Sequence, residues 1–378
     1  MPDKKTVFHL LIILLLLTAC APTREIERLG IIHTLGIDVT DDGQQIETTM
    51  VIFQFDEQAA TLTKNVIGQG KTVRGARNDA SNQSAYHLAS GQMQLQLFGK
   101  EAAEQGILPY LNMLVRDATV SDTMFLTVTN QTAKEILTTG RELTEINIGQ
   151  FLYGVIEQEK NEHKIPRSDL QMFSRTYFEP GQDPWLPVMD IEEELPAIVS
   201  MGIFQDDRYV GELSLKEAFY LNLFINKIAP APLELSLPRE PFQDYMPEKN
   251  NDSEESLDIK IQLKGNTKTK LVDKEELRYQ TNVKVQFRLD EFSEVIVVED
   301  EKVAELFEKE IAKKMEEEYG SLLRKLQDMQ SDPFGFGKYY RLQKKNGEMT
   351  SDEWRELYPD ISVDFNVDAE LIHYGTIQ

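Results

Sequence analysis

The chain of 378 residues carries 40 Lys and Arg against 64 Asp and Glu, a formal charge of −24, with 41 % hydrophobic residues, 9 % aromatics and one cysteine. At roughly 100 to 200 residues per domain, this length holds two or three domains with cores of their own, and the apolar fraction excludes wholesale disorder. The acidic balance argues against nucleic-acid binding through clustered Lys and Arg, and one cysteine can form neither an internal disulfide nor a thiolate zinc site.

The N-terminus sets Lys4 and Lys5 before an apolar run from Leu10 to Leu17. A run this short cannot span about 30 Å of hydrocarbon, so residues 1–19 read as a secretory signal that is removed. The run ends in Leu17-Thr18-Ala19-Cys20, which resembles the bacterial lipobox, where small residues precede a cysteine acylated before cleavage. Only a thiol forms the thioether to diacylglycerol, which makes Cys20 the predicted lipidation site and 20–30 a lipidated tether. Two acyl chains suffice for durable anchoring without a basic patch.

Beyond the tether, a strand is predicted around Gly30 to Val39, an Asp42-Gly43 hairpin turn, and a return strand from Ile46 to Phe55. Residues 72–90 read as a helix with Val73, Ala76, Ala80 and Leu88 on one side. A strand at Leu95 and Leu97 precedes a helix opening at Lys100–Ala103, with the helical pattern running on past Gly106 through Ile107–Val115. Met124–Val128 is the next strand and Thr132–Leu137 the next helix, capped by Asn130 or Thr132. This alternation predicts an N-terminal mixed α/β domain over 31–195. Pro180, Pro184, Pro187 and Pro196 mark Glu179–Pro196 as a boundary.

A small middle domain is expected over 196–250: a hairpin of Ile198–Phe204 and Tyr209–Leu213 turning at Asp206-Asp207, a helix from Leu215 to Ile225, and a proline-rich passage from Pro230 to Pro247. The polar run from Glu248 to Ser256 reads as a solvated loop. In the last unit, 251–378, Ile259, Ile261 and Leu263 alternate, as do Val283, Val285, Phe287 and Leu289, and Val295–Val298 is a continuous apolar strand. Apolar positions from Val303 to Met329 recur every three or four residues, a helix of about 28 residues, roughly 42 Å long, that Gly320 kinks or ends in one half. Ile361, Val363, Phe365 and Val367 close the unit as a strand. The predicted class is multi-domain α+β, with a C-terminal antiparallel sheet packed on one long helix. No window after residue 20 is apolar for long enough to cross a bilayer.

Motifs of catalysis are sparse. Gly68-Gln69-Gly70-Lys71-Thr72 ends like a P-loop, but Asn65 stands where that loop needs its first glycine. Asp332-Pro333-Phe334-Gly335-Phe336-Gly337 follows a helix and lacks the third glycine of a nucleotide loop, so it reads as a tight turn. His33, His87, His163 and His373 stand far apart, and no Gly-x-Ser-x-Gly elbow occurs. The acidic run Asp190–Glu194 lacks the spaced ligands of a calcium loop. No catalytic, metal-ligating or cofactor-binding residue emerges, and ligand-binding residues stay unassigned.

The lipobox, Arg28-Leu29-Gly30, Leu35-Gly36-Ile37-Asp38, Gly70-Lys71-Thr72, the block from Phe98 to Gly106, Arg116-Asp117, Gly202 to Gly211, Asp332 to Gly337, Trp354 and Tyr358-Pro359 occur in an order and spacing that resemble the lipoprotein C subunits of spore-germination nutrient receptors, the Ger(x)C family. The likeness covers nearly the whole mature chain, and it departs from the family pattern at Gln92, where a histidine is expected, and at the lone Trp354. The resemblance implies a non-enzymatic subunit of mixed α/β domains anchored to the outer face of the spore inner membrane. It also implies partners: a polytopic A subunit and a transporter-like B subunit that respond to nutrient germinants. Phe334, Phe336 and Trp354 are then packing residues. Two other classes compete: a solute-binding lipoprotein, which needs two similar lobes around a cleft, and a surface hydrolase, which needs two carboxylates converging in a groove.

Overall fold

The computed structural model describes residues 28–374 except 56–60, 85, 144–146, 194, 247–254, 295 and 297–300. Cys20 and the lipobox therefore lie outside the described residues, as do nearly all of the expected Glu248–Ser256 loop and of the expected Val295–Val298 strand, of which Ile296 is described, buried and in no strand.

Strands β1 (Leu29–Val39) and β2 (Ile46–Phe53) pair antiparallel around the Asp42-Gly43 turn, with Gly43 at φ 67°. Strand β3 (Thr63–Gly70) extends this ribbon and feeds helix α1 (Val73–Gln83), whose N-cap Thr72 accepts from the Gly75 amide. A strand precedes the P-loop-like segment, but its glycines serve packing: a Cβ on Gly68 would lie 2.2 Å from the Ala76 carbonyl oxygen. The helix expected through residue 90 ends at Gln83, since Ser84 is extended, and Leu88 falls in β4 (His87–Ala89), paired parallel to β1.

Strand β5 (Leu95–Gly99) lies parallel to β1 and leads into α2 (Lys100–Gln105) and α3 (Leu108–Val115). The expected continuous helix is two, because Gly106 adopts φ 114° and a Cβ there would meet Asp207 Oδ2 at 2.7 Å. Strand β6 (Phe125–Thr129) is followed by α4 (Ala133–Leu143), which Thr132 caps through the Glu135 amide. Buried Asp38 also accepts from the α4 amides of Ala133 and Lys134 at 2.7 and 2.9 Å, an anion on a helix N-terminus. Helices α5 (Ile148–Asn161) and α6 (Leu170–Phe178) precede β7 (Trp185–Glu192), β8 (Leu195–Gln205) and β9 (Arg208–Ser214).

The first sheet has nine strands in the order β3-β2-β1-β5-β6-β7-β8-β9, with β4 beside β1. The boundary expected over Glu179–Pro196 is thus an inner strand and the start of the next, and the division at residue 195 falls inside a sheet. Pro187 is tolerated because its carbonyl, and so its missing N–H, faces β6, where backbone pairing begins only at Val128 and Val188.

Helix α7 (Leu215–Ile225), opened by a Ser214/Glu217 capping box, crosses to a second sheet of β10 (Ile228–Pro238), β11 (Ser256–Asp273), β12 (Arg278–Phe292) and, after the 28-residue α8 (Glu301–Asp328), α9 (Phe336–Leu342) and α10 (Ser351–Leu357), β13 (Ser362–Tyr374). The order is β10-β11-β12-β13. The first half of the proline-rich passage is strand β10, which sits at an edge and shifts register between Ile228 and Ala231, as prolines in a sheet require. Strand β13 runs parallel to β12, so the sheet is mixed rather than wholly antiparallel. The long connection through α8 permits this, because parallel neighbours need a crossover that a short hairpin cannot supply. Helix α8 is continuous through Gly320, where a Cβ would make only an ordinary contact with Arg324 Nη1 at 3.8 Å.

Strands β8 and β9 belong to the first sheet and β10 to the second, so the expected middle domain forms no layer of its own. One apolar cluster runs from Leu95, Leu97 and Met189 of the first sheet through Phe219 and Phe224 of α7 to Leu263, Phe307 and Tyr319 of the second unit. A separate cluster fills the other face of the first sheet beneath α1, α2, α3 and α6. The architecture is a two-sheet, multi-domain α+β fold.

Candidate functional site

The Asp332–Gly337 segment lies where the two sheets meet, at the C-terminus of α8. That helix ends in a Schellman arrangement: the Ser331 amide reaches the Leu326 carbonyl at 3.1 Å and the Gln330 amide the Gln327 carbonyl at 2.9 Å, with Gln330 left-handed at φ 52°. The reversal carries Ser331 Oγ to the Phe204 carbonyl of β8 at 2.7 Å. The next residue, Asp332, is 1 % exposed. Its carboxylate accepts from the Gly335 amide at 2.8 Å, the Gly337 amide at 3.0 Å and the Trp354 indole N–H at 3.0 Å.

A second carboxylate answers from the first sheet. Asp183, just before β7, accepts from the Asp332 amide at 2.8 Å and the Asp206 amide at 3.1 Å, while its own amide donates to the Asp332 carbonyl at 3.0 Å. Arg355 of α10 approaches Asp183 Oδ1 at 3.8 Å and Asp206 Oδ1 at 3.0 Å. Gly181 at φ 91° and Gly337 press together so closely that a Cβ on either would meet the other's backbone at about 2.5 Å. Phe334 packs against Phe224 of α7 with the rings tilted by 35° and centroids 4.1 Å apart, and the Tyr279 hydroxyl donates to the Phe336 carbonyl at 3.2 Å.

Burial dominates the electrostatics. It pushes the Asp332 carboxyl up to about 7, against the pull of the Gly337 amide and with added repulsion from Asp183. Asp183 is pushed up to about 6 by burial, with the amides of Asp332 and Asp206 and the Arg355 charge pulling it down. The space beside these residues, lined by Gly181, Trp354 and Tyr358, is about 10 Å³, room for no more than a water molecule. Both carboxylates are spent on N–H donors and face no groove. The arrangement holds the two sheets in register; it does not present an acid–base pair to a substrate.

The structure brings together Asp332, Phe334, Phe336 and Trp354, all of which the sequence singled out as turn and packing residues. Asp183 and Arg355 join them unannounced, and the only local sign in the sequence was the density of prolines and acids around each. The histidines stay apart. His33 is buried, bonded to Thr34 and Gln94, with burial lowering its pKa, while His87 is exposed and His163 offers its backbone carbonyl to Asn222. Asp190 lies within β7 and accepts from Asn130. Among the described residues no three His, Cys, Asp or Glu side chains cluster to hold a metal ion.

Comparison with known proteins gives matches across the whole described body. The family profile for the spore germination protein N-terminal domain matches residues 22–191, and the profile for the spore germination B3/GerAC-like C-terminal domain matches 200–375. Spore germination protein GerQC of Bacillus cereus is 22 % identical over 368 residues, covering 97 % of this chain and 98 % of that one. The crystal structure of the GerBC protein superposes with a TM-score of 0.52 at 16 % identity, over 92 % of this chain and all of that chain, a likeness of fold.

Proposed function

The chain belongs to the spore-germination GerAC family, and from that premise we propose that it is the lipid-anchored C subunit of a nutrient germinant receptor. In this reading Cys20 carries the acyl chains that hold the body at the outer face of the spore inner membrane. The body assembles there with a polytopic A subunit and a transporter-like B subunit. The observation that carries the reading is the continuity of the match: the N-terminal family profile begins at residue 22, immediately after the lipobox, and the C-terminal one ends at 375.

Physical features support it. No described helix is long and apolar enough to cross a membrane, and two acyl chains are enough to anchor a body that has none. The solute-binding alternative needs two like lobes around a cleft. Here a nine-stranded and a four-stranded sheet of unlike topology share one core cluster and are clamped by buried carboxylates. Asp183 and Asp332, the buried carboxylates at the junction, are enclosed and spent on N–H donors.

Replacing the thiol tests the anchoring and the role together. In spores with intact A and B subunits, Cys20→Ala protein is expected to leave the detergent phase and to slow germination in nutrient. Retention in that phase with normal germination would contradict the proposal.

A further inference from the structure

Against the acidic charge of the whole chain, one groove is basic. It lies between α1 and α3, has a volume of about 660 Å³, and is lined by four cations, Lys71, Arg74, Arg77 and Arg116, with Asp117 as its one carboxylate. That carboxylate is already occupied: it accepts from Thr119 Oγ1 at 2.6 Å and the Thr119 amide at 3.0 Å, and Ser90 Oγ lies 3.4 Å away. Arg77 reaches Ser90 Oγ at 3.5 Å and interacts electrostatically with Asp117. Lys71, Arg74 and Arg116 take part in none of the ion pairs formed among the described residues, although acids outnumber bases in the chain by 64 to 40. Two segments singled out in the sequence, Gly70-Lys71-Thr72 and Arg116-Asp117, converge on this groove from opposite sides.

The backbone adds to the same field. Helix α1 starts in the groove wall, has no acidic residue in its first turn, and leaves its first amides without carbonyl partners inside the helix. The remaining lining is apolar, with Ile46, Val73 and Met113 beside Tyr110, whose ring stacks on Phe98 at 6.2 Å. A surplus of cations with forked guanidinium donors matches a phosphate oxyanion, and the apolar wall matches an organic body attached to it.

We propose that this groove binds a phosphate-bearing organic ligand, its phosphate held by Lys71, Arg74 and Arg116 at the N-terminus of α1 and its apolar part laid against Met113 and Tyr110. The site stands on this geometry alone and is independent of the receptor reading. A soluble phosphomonoester and a phospholipid headgroup share the required chemistry.

Two arms separate these sources. The Cys20→Ala chain, free of acyl chains that would carry it to any vesicle, is titrated calorimetrically with glycerol 3-phosphate at low salt, and in parallel it is floated with vesicles of phosphatidylglycerol or of phosphatidylcholine. Each arm is repeated with the Arg74→Gln, Arg116→Gln double variant, both positions being exposed, and with Lys313→Gln, an exposed cation of α8, as control. Saturable binding in the titration identifies a soluble ligand, and flotation selective for phosphatidylglycerol identifies a lipid headgroup. In either case the double variant is expected to weaken binding about tenfold or more while the control does not. Absence of binding in both arms, or binding that the double variant leaves unchanged, would overturn the proposal.

Discussion

Asp332 and Asp183 are two buried acids where the sheets meet, and their state couples the junction to pH. Burial raises both carboxyls, to about 7 and about 6, above the roughly 4 of an unfolded chain. Between these values the folded state holds more protons than the unfolded one, so the contribution of this pair to stability is present at low pH and is lost as pH rises through that window. Arg355, with its side chain 20 % exposed, offsets part of the loss by favouring ionised Asp183. Arg355→Met is therefore expected to lower stability by about 2 kcal/mol at pH 8, where Asp183 is charged, and by much less at pH 5. Urea unfolding at the two pH values checks this, and an equal loss at both would show that the charge on Asp183 is not what Arg355 serves. At this scale the sequence was half legible. The Asp332–Gly337 turn is visible from its proline and glycines, whereas its partner Asp183 stands far away in the chain and is bonded chiefly through backbone amides, which leave no mark on residue identity.

At the scale of elements, periodicity did most of the work and failed where something other than burial set the pattern. Helix α8 is read correctly from Val303 to Met329 because one stripe of a 28-residue helix faces the core. Strands β11 and β12 are read from strict alternation for the same reason. Strand β7 is hidden by Pro184 and Pro187, and the parallel direction of β13 cannot be seen in alternation, which is the same for either direction. Strand β13 is also an edge, and an edge offers unpaired amides to other chains. Two acids of α8 cover them: Glu316 accepts from the Val367 amide and Glu308 from the Leu371 amide, each at 2.9 Å. Changing both, Glu308→Ala with Glu316→Ala, is expected to cost about 1 kcal/mol per lost bond and to promote self-association. Light scattering across a concentration series reads the association, and a variant that stays monodisperse with unchanged stability would show that the edge needs no such cover.

At the scale of the whole molecule, the chain's own division differs from the one its family profiles suggest. The profiles part between residues 191 and 200, yet β8 and β9, which follow, complete the first sheet. The core cluster and the Asp183–Asp332 contact then join that sheet to the second. A two-sheet body joined through one core offers area for the docking beside membrane partners proposed above. The basic groove escaped the sequence reading because its cations are spread from Lys71 to Arg116 in a chain whose overall charge points the other way. The most direct test of the central claim is purification of the tagged chain from spore inner membranes in mild detergent. The account predicts that the A and B subunits come with it in near-equal amounts, and recovery of the chain free of both would contradict it.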